Sequence, residues 1–161
     1  MNMELKEKRM GYNISQQRAA DIVGIPLRTY VRYEEDDNYG DSLKRKAIIN
    51  AIDECCEINE DKGVLSIEQI KKSIQKLFDS EYKDKIEFCY LFGSYAKGYA
   101  NDKSDVDLCV STSLSGLDFA GLSEKLRNVL HKRIDLIRLN NLKDNVELIN
   151  EIMKVGIKIF G

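Results

Sequence analysis

The chain has 161 residues, 43% of them hydrophobic, and a formal net charge of −2. That length suits one ordinary domain or two small ones, and the charge excludes a polycation drawn as a whole to nucleic acid or anionic lipid. No apolar stretch approaches the ~20 residues of a membrane helix, and MNMELKEKRM lacks the apolar core of a signal peptide, so a cytoplasmic protein is expected. In chain order, helical spacing with few β-branched runs covers 5–10, 16–23, 27–33 and 43–58. A polar stretch containing Gly63 follows. A further helix over 66–78 opens on Ser66-Ile67-Glu68-Gln69, a capping-box sequence, with Ile67, Ile70, Ile74 and Leu77 as its apolar stripe. Then come strands at 86–92 and 106–111, a helix at 117–131, a strand at 133–139, a helix at 143–154 and a short strand at 157–160. The predicted organisation is an all-α region over 1–58, a linker over 59–65 and an α+β region over 66–161. The four cysteines, Cys55, Cys56, Cys89 and Cys109, have no zinc-ligand spacing and read as reduced thiols.

Within the helical region, NISQQRAADIVGIPLRTYVRYE (13–34) predicts two helices joined tightly. Ser15 caps the first, whose buried face is Ala19, Ala20 and Val23. Gly24 permits the turn, and Pro26 starts the second helix where a missing N–H costs nothing. This arrangement resembles the helix-turn-helix of repressor-like (XRE or Cro/C1-type) DNA-binding domains, down to the closing Tyr33-Glu34. The resemblance implies promoter DNA as a partner, with Arg28, Thr29 and Arg32 toward the groove and Gln16, Gln17 and Arg18 near the backbone. Residues 1–33 carry six basic side chains (Lys6, Lys8, Arg9, Arg18, Arg28, Arg32) against three acidic (Glu4, Glu7, Asp21). Glu34-Glu35-Asp36-Asp37 follow at once and would repel phosphate. A purely protein-binding helical bundle is the competing reading. Few phosphate contacts mean weak binding by one copy, so a homodimer is expected.

The second region contains LFGSYAKGYANDKSDVDLCV (91–110). Asp105 and Asp107 fall one residue apart in an apolar run, and alternate residues of a strand share a face. Two like charges so placed are costly unless neutralised, and paired hard carboxylates suit Mg²⁺. An EF-hand is excluded, since the sixth-position glycine and the distal glutamate are missing. Gly93 ends the preceding strand and lets backbone N–H groups approach an anion, Ser94 adds a hydroxyl, and Lys97 and Gly98 lie one turn on. In KRIDLIRL (132–139), Asp135 is again an acid in an apolar run. Paired beside the 106–111 strand, it reaches the same cluster. The structural alternative is ordinary: Asp105 caps a turn, and Asp107 and Asp135 pair with basic groups.

The order Gly93-Ser94, Asp105-x-Asp107 and a later strand with Asp135 resembles the DNA polymerase β-type nucleotidyltransferase superfamily. Its nearest likeness is to the minimal nucleotidyltransferases, the antitoxin partners of HEPN-domain toxins. GSYAKGYANDKSDVDL (93–108) carries most of it, including Gly98 and Ser104, and the closing NEIMKVGIKIF adds to it. The resemblance implies an α+β nucleotidyltransferase fold preceded by the helix-turn-helix. It also implies ATP as substrate, two Mg²⁺ ions held by Asp105, Asp107 and Asp135, and phosphates gripped by Gly93 and Ser94, with Lys97, Gly98 and Ser104 nearby. Asp135 would assist deprotonation of the attacking hydroxyl.

Only 26 residues follow Asp135, so a small-molecule acceptor would be poorly enclosed. The family resemblance implies instead a tyrosine hydroxyl on a HEPN toxin, modified with AMP. Two alternatives stand beside this: a small-molecule nucleotidyltransferase of the antibiotic-modifying type, and a transcriptional regulator that senses nucleotide without transferring it. The chain does not itself resemble the toxin. His131 reads as a helix C-terminal residue favoured by the dipole.

Overall fold

The computed structural model describes residues 3–161, in two compact units, Met1–Glu57 and Ile58–Gly161. None of the helices described is long and apolar enough to cross a membrane.

The first unit is four helices: α1 (Met3–Gly11), α2 (Gln16–Val23), α3 (Leu27–Glu35) and α4 (Ser42–Cys56). Local chemistry sets their ends. The Ser15 side chain accepts the Arg18 amide at the start of α2, and Gly24 closes that helix at φ 76°. Asp41 accepts the Lys44 amide at the start of α4. Each helix buries one stripe, so Leu5, Ala19, Ala20, Tyr30, Tyr33, Ile48, Ile49 and Ile52 form a single core. Two charged side chains are buried with them. Arg45 donates to the carbonyls of Tyr33, Asp36 and Tyr39, which satisfies the end of α3. Glu34 accepts from Arg9 Nε and from Gln16 Nε2, the latter at 2.9 Å.

The second unit is a four-stranded mixed sheet with helices on both faces. Its elements are α5 (Ile67–Glu81), β1 (Ile86–Phe92), α6 (Gly93–Lys97), β2 (Val106–Thr112), α7 (Gly116–Leu130), β3 (Ile134–Arg138), α8 (Val146–Val155) and β4 (Ile157–Phe160). The strand order is β3-β2-β1-β4. β1 runs antiparallel to both β2 and β4. β2 and β3 are parallel, and such a pair needs a crossover, here supplied by α7. The capping box at Ser66 forms as read, and α5 continues three residues past the predicted end.

Strand alternation sorts the sheet's side chains. Cys89, Leu91, Val106, Leu108 and Val110 point to one face, packed with Ile70, Ile74 and Phe78 of α5 and Leu122 and Leu126 of α7. Phe92 and Cys109 point to the other, beside Leu142 and partly buried Leu148, Ile149 and Ile152. The helix expected over 143–154 starts later than read. Leu139–Leu142 form a tight 3-10 turn that buries Leu142, and Asn145 then caps α8 by accepting the Leu148 amide. The stretch 59–65, read as a linker, is folded onto this unit. Asn59 and Lys62 make a small antiparallel bridge, Glu60 pairs with Arg127, and Asp61 lies 3.8 Å from Arg133. None of the four cysteines is in a disulfide.

Candidate active site

The three singled-out acids gather at one end of the sheet, but not in one arrangement. Asp107 is the second residue of β2. In the ladders it stands opposite Phe92 of β1 and opposite Asp135 of β3. Matching positions on adjacent strands share a face, so the two carboxylates are neighbours. Asp107 is partly buried and Asp135 is exposed. Burial, then the charges of Asp135 and Asp105, push the Asp107 carboxyl up to about 6.

Gly93 is shaped by the same carboxylate. A Cβ on residue 93 would collide with Asp107 Oδ2 and lie 2.8 Å from its Cγ, and the backbone there has φ +69°. Both facts require glycine. Gly93 opens α6, with Ser94 next. Gly98 closes the helix in the left-handed region, its amide donating to Ser94 O at 3.1 Å. The start of this short helix, at Gly93, therefore borders Asp107.

Asp105 departs from the expected side-by-side pair. β2 begins at Val106, so Asp105 stands just outside the strand, and its Oδ1 accepts from Arg133 Nε at 3.2 Å. Ser104 closes the turn before it: its Oγ accepts the Asn101 amide at 2.9 Å, and its own amide donates to Asn101 O. As placed, no three His, Cys, Asp or Glu side chains among the described residues converge as a metal cage. The donor chemistry nonetheless fits a divalent cation. Asp107 and Asp135 offer facing hard oxygens and have no lysine or arginine partner among the described residues, and Asp105 is near enough for its charge to act on Asp107.

Glu151 was not singled out from the sequence. It projects from α8 and pairs with Lys97 of α6, and its charge adds to the push on Asp107. Its one signal was an acid set between Ile149 and Ile152. Lys97 is thus held near the acids by a partner rather than left to solvent.

In the first unit, Arg28 is exposed on α3 and Thr29 is half-buried. The Arg32 guanidinium lies 5.3 Å from the Tyr39 ring centroid. Gln17 Nε2 donates to Asp21 at 2.9 Å. Gln16 is turned inward to Glu34, so it is not disposed toward a backbone as expected. Glu34 and Arg9 cancel inside the unit, which removes one acid and one base from the surface charge.

Set beside known proteins, residues 68–161 match the family model described as polymerase beta, nucleotidyltransferase. A protein adenylyltransferase MntA of Thermococcus cleftensis is 33% identical over 88 residues, 52% of this chain and 88% of that protein. The protein adenylyltransferase MntA of Shewanella oneidensis is 29% identical over 79 residues, 48% of this chain and 55% of that protein. A solved toxin–antitoxin structure with AMP-PNP is 28% identical, covering 56% of this chain and 73% of that chain with a TM-score of 0.48.

Proposed function

Because this chain belongs to the polymerase beta nucleotidyltransferase family, we propose that it transfers AMP from ATP to a hydroxyl on a partner protein. The observation that carries this is the facing pair Asp107 and Asp135, with Asp107 occupying the space that a side chain at Gly93 would need. The family likeness covers α5 through β4, the whole mixed sheet. Relatives named as protein adenylyltransferases support a protein acceptor. The acceptor implied by the likeness of residues 93–108 is a tyrosine of a HEPN-domain toxin, which makes this chain the antitoxin.

In this reading Gly93 and Ser94 receive the β- and γ-phosphates, with Lys97, Gly98 and Ser104 framing the loop. Asp105, Asp107 and Asp135 would hold Mg²⁺, two ions when the site is full, and the metal would supply charge stabilisation on the attacking and leaving oxygens. Asp135 accepts the acceptor's proton. The hydroxyl oxygen bonds to the α-phosphorus, and the bond to pyrophosphate breaks. Positioning does most of the work.

The helical unit is proposed to bind the promoter through α3, with Arg28 leading and Thr29, Arg32 and Gln17 beside it. The exposure of Arg28 on the second helix of a capped pair supports this.

The test is direct. The protein is mixed with labelled ATP, Mg²⁺ and the product of an adjacent toxin-like reading frame. Mass spectrometry should find AMP on a toxin tyrosine, with pyrophosphate released. A phosphate, another nucleotide or no added mass would overturn adenylyl transfer.

A further inference from the structure

Lys132 is completely buried. A lysine is almost never buried without partners, because an ammonium loses its hydration there. Its Nζ donates to two backbone carbonyls, Asp102 O at 2.7 Å and Lys62 O at 3.3 Å. The first carbonyl sits in the loop that delivers Asp105. The second sits in the stretch just before α5, seventy residues away along the chain from Lys132.

The neighbouring contacts repeat the pattern. Arg133 donates to Lys103 O at 3.5 Å and to Asp105 itself, and lies 3.8 Å from Asp61. Val106 N donates to Arg133 O at 2.9 Å, so the strand that carries Asp107 starts from the same point. Burial lowers the Lys132 pKa, while Asp102 and Asp61 oppose that. A charge kept in a dry place by two carbonyls of remote segments fixes those segments relative to each other.

We propose that Lys132 is a positioning residue for nucleotidyl transfer: one buried ammonium fastens the Asp105 loop to the stretch 59–63 and sets where Asp105 enters the site. This rests on the nucleotidyltransferase reading of the three acids. It goes beyond that reading by assigning a role to a residue that touches neither nucleotide nor metal. It also makes residues 59–63 part of the catalytic unit rather than a spacer.

The experiment uses the full-length protein with Lys132→Met, which keeps the stem and removes the donor. Two measurements are made on wild type and variant: amide hydrogen exchange over residues 101–106, and Mn²⁺ affinity without nucleotide. Exchange in the loop should quicken at least tenfold while α5 and α7 stay protected, and Mn²⁺ affinity should fall roughly tenfold. With nucleotide and acceptor present, kcat should fall more than the nucleotide KM changes. Should Lys132→Met fail to fold, Lys132→Gln, which keeps one N–H donor for Asp102 O, is measured the same way and should fall between. A folded variant with wild-type loop exchange and Mn²⁺ affinity overturns the positioning role. A wild type that binds no Mn²⁺ overturns the reading of the acids instead, while loop exchange still decides whether Lys132 holds the loop.

Discussion

The Asp107 carboxylate fills the space that a side chain at position 93 would need, and it does so while facing Asp135 across the parallel β2–β3 ladder. A half-buried carboxylate beside another, with backbone pressed against it, is an unfavourable way to begin a strand. The fold keeps it because the same crowding makes a concentrated negative site edged by the backbone of a short helix.

Relieving that crowding should stabilise the protein when no divalent ion is present. Asp107→Asn removes one of two facing charges and should raise the metal-free melting temperature by a few degrees, on the order of 1 kcal/mol. The same variant should lose AMP transfer. Differential scanning fluorimetry with and without Mg²⁺, paired with a labelled-ATP assay, checks both. An unchanged rate would remove Asp107 from the mechanism.

Two glycines separate strain from collision. Gly98 has φ +84° with open space around it, whereas Gly93 has φ +69° and Asp107 against it. Gly98→Ala should cost about 1–2 kcal/mol of backbone strain and slow transfer only as far as the strain disturbs the phosphate loop. Gly93→Ala should cost more and abolish transfer, because Asp107 must move. Urea unfolding and transfer rates, measured side by side, would show equal losses if collision with Asp107 were unimportant.

Asp135 is exposed and stands opposite Asp107, which suits a group that meets the acceptor. Asp135→Asn should slow single-turnover transfer at least a hundredfold while nucleotide affinity changes little. Calorimetry against rapid-quench kinetics would expose the contrary case, in which affinity falls as far as rate.

On the helical unit, Arg28→Ala should weaken promoter binding by about 1–3 kcal/mol if it reads a base edge. Arg32→Ala should give a smaller loss, because its guanidinium already lies over Tyr39. AMP transfer should be unaffected by either. A gel-shift titration at two salt concentrations checks this, and no shift at all with wild type would make the unit a protein-interaction module.

The buried Glu34 predicts acid sensitivity of the same unit. Arg9, Gln16 and Tyr30 hold its carboxyl below the usual range against the opposing effect of burial. A carboxyl with a lowered folded pKa adds stability that is present above its unfolded value, about 4.3, and lost as pH falls through the folded value. Glu34→Gln should destabilise the unit at pH 7 by about 2 kcal/mol, since Arg9 loses its partner, and should flatten the acid limb of the stability profile. Chemical denaturation between pH 3 and 7 measures it. An Asp or Glu elsewhere governs that limb if the slope survives.

What the chain's own text determined was local. Ser15, Ser66 and Gly24 set helix ends through hydrogen bonds reaching only a few residues, and period-two and period-3.6 patterns placed most strands and helices. The Gly93-Ser94 and Asp105-x-Asp107 spacing marked the candidate site by placing a glycine turn and two acids close in the chain, although the strand alternation expected of the pair holds only for Asp107. Tertiary structure decided the rest, through contacts whose partners are far apart in the chain. Register across β2 and β3 brought Asp135 to Asp107. A strand that starts at Val106 left Asp105 outside it and within reach of Arg133. Packing turned Glu34, an acid in an acidic run, into the interior beside Arg9. It set Glu151 against Lys97, and it buried Lys132 between two carbonyls that no spacing rule connects. Burial and register depend on how all the elements close together, and that is not encoded in any one segment.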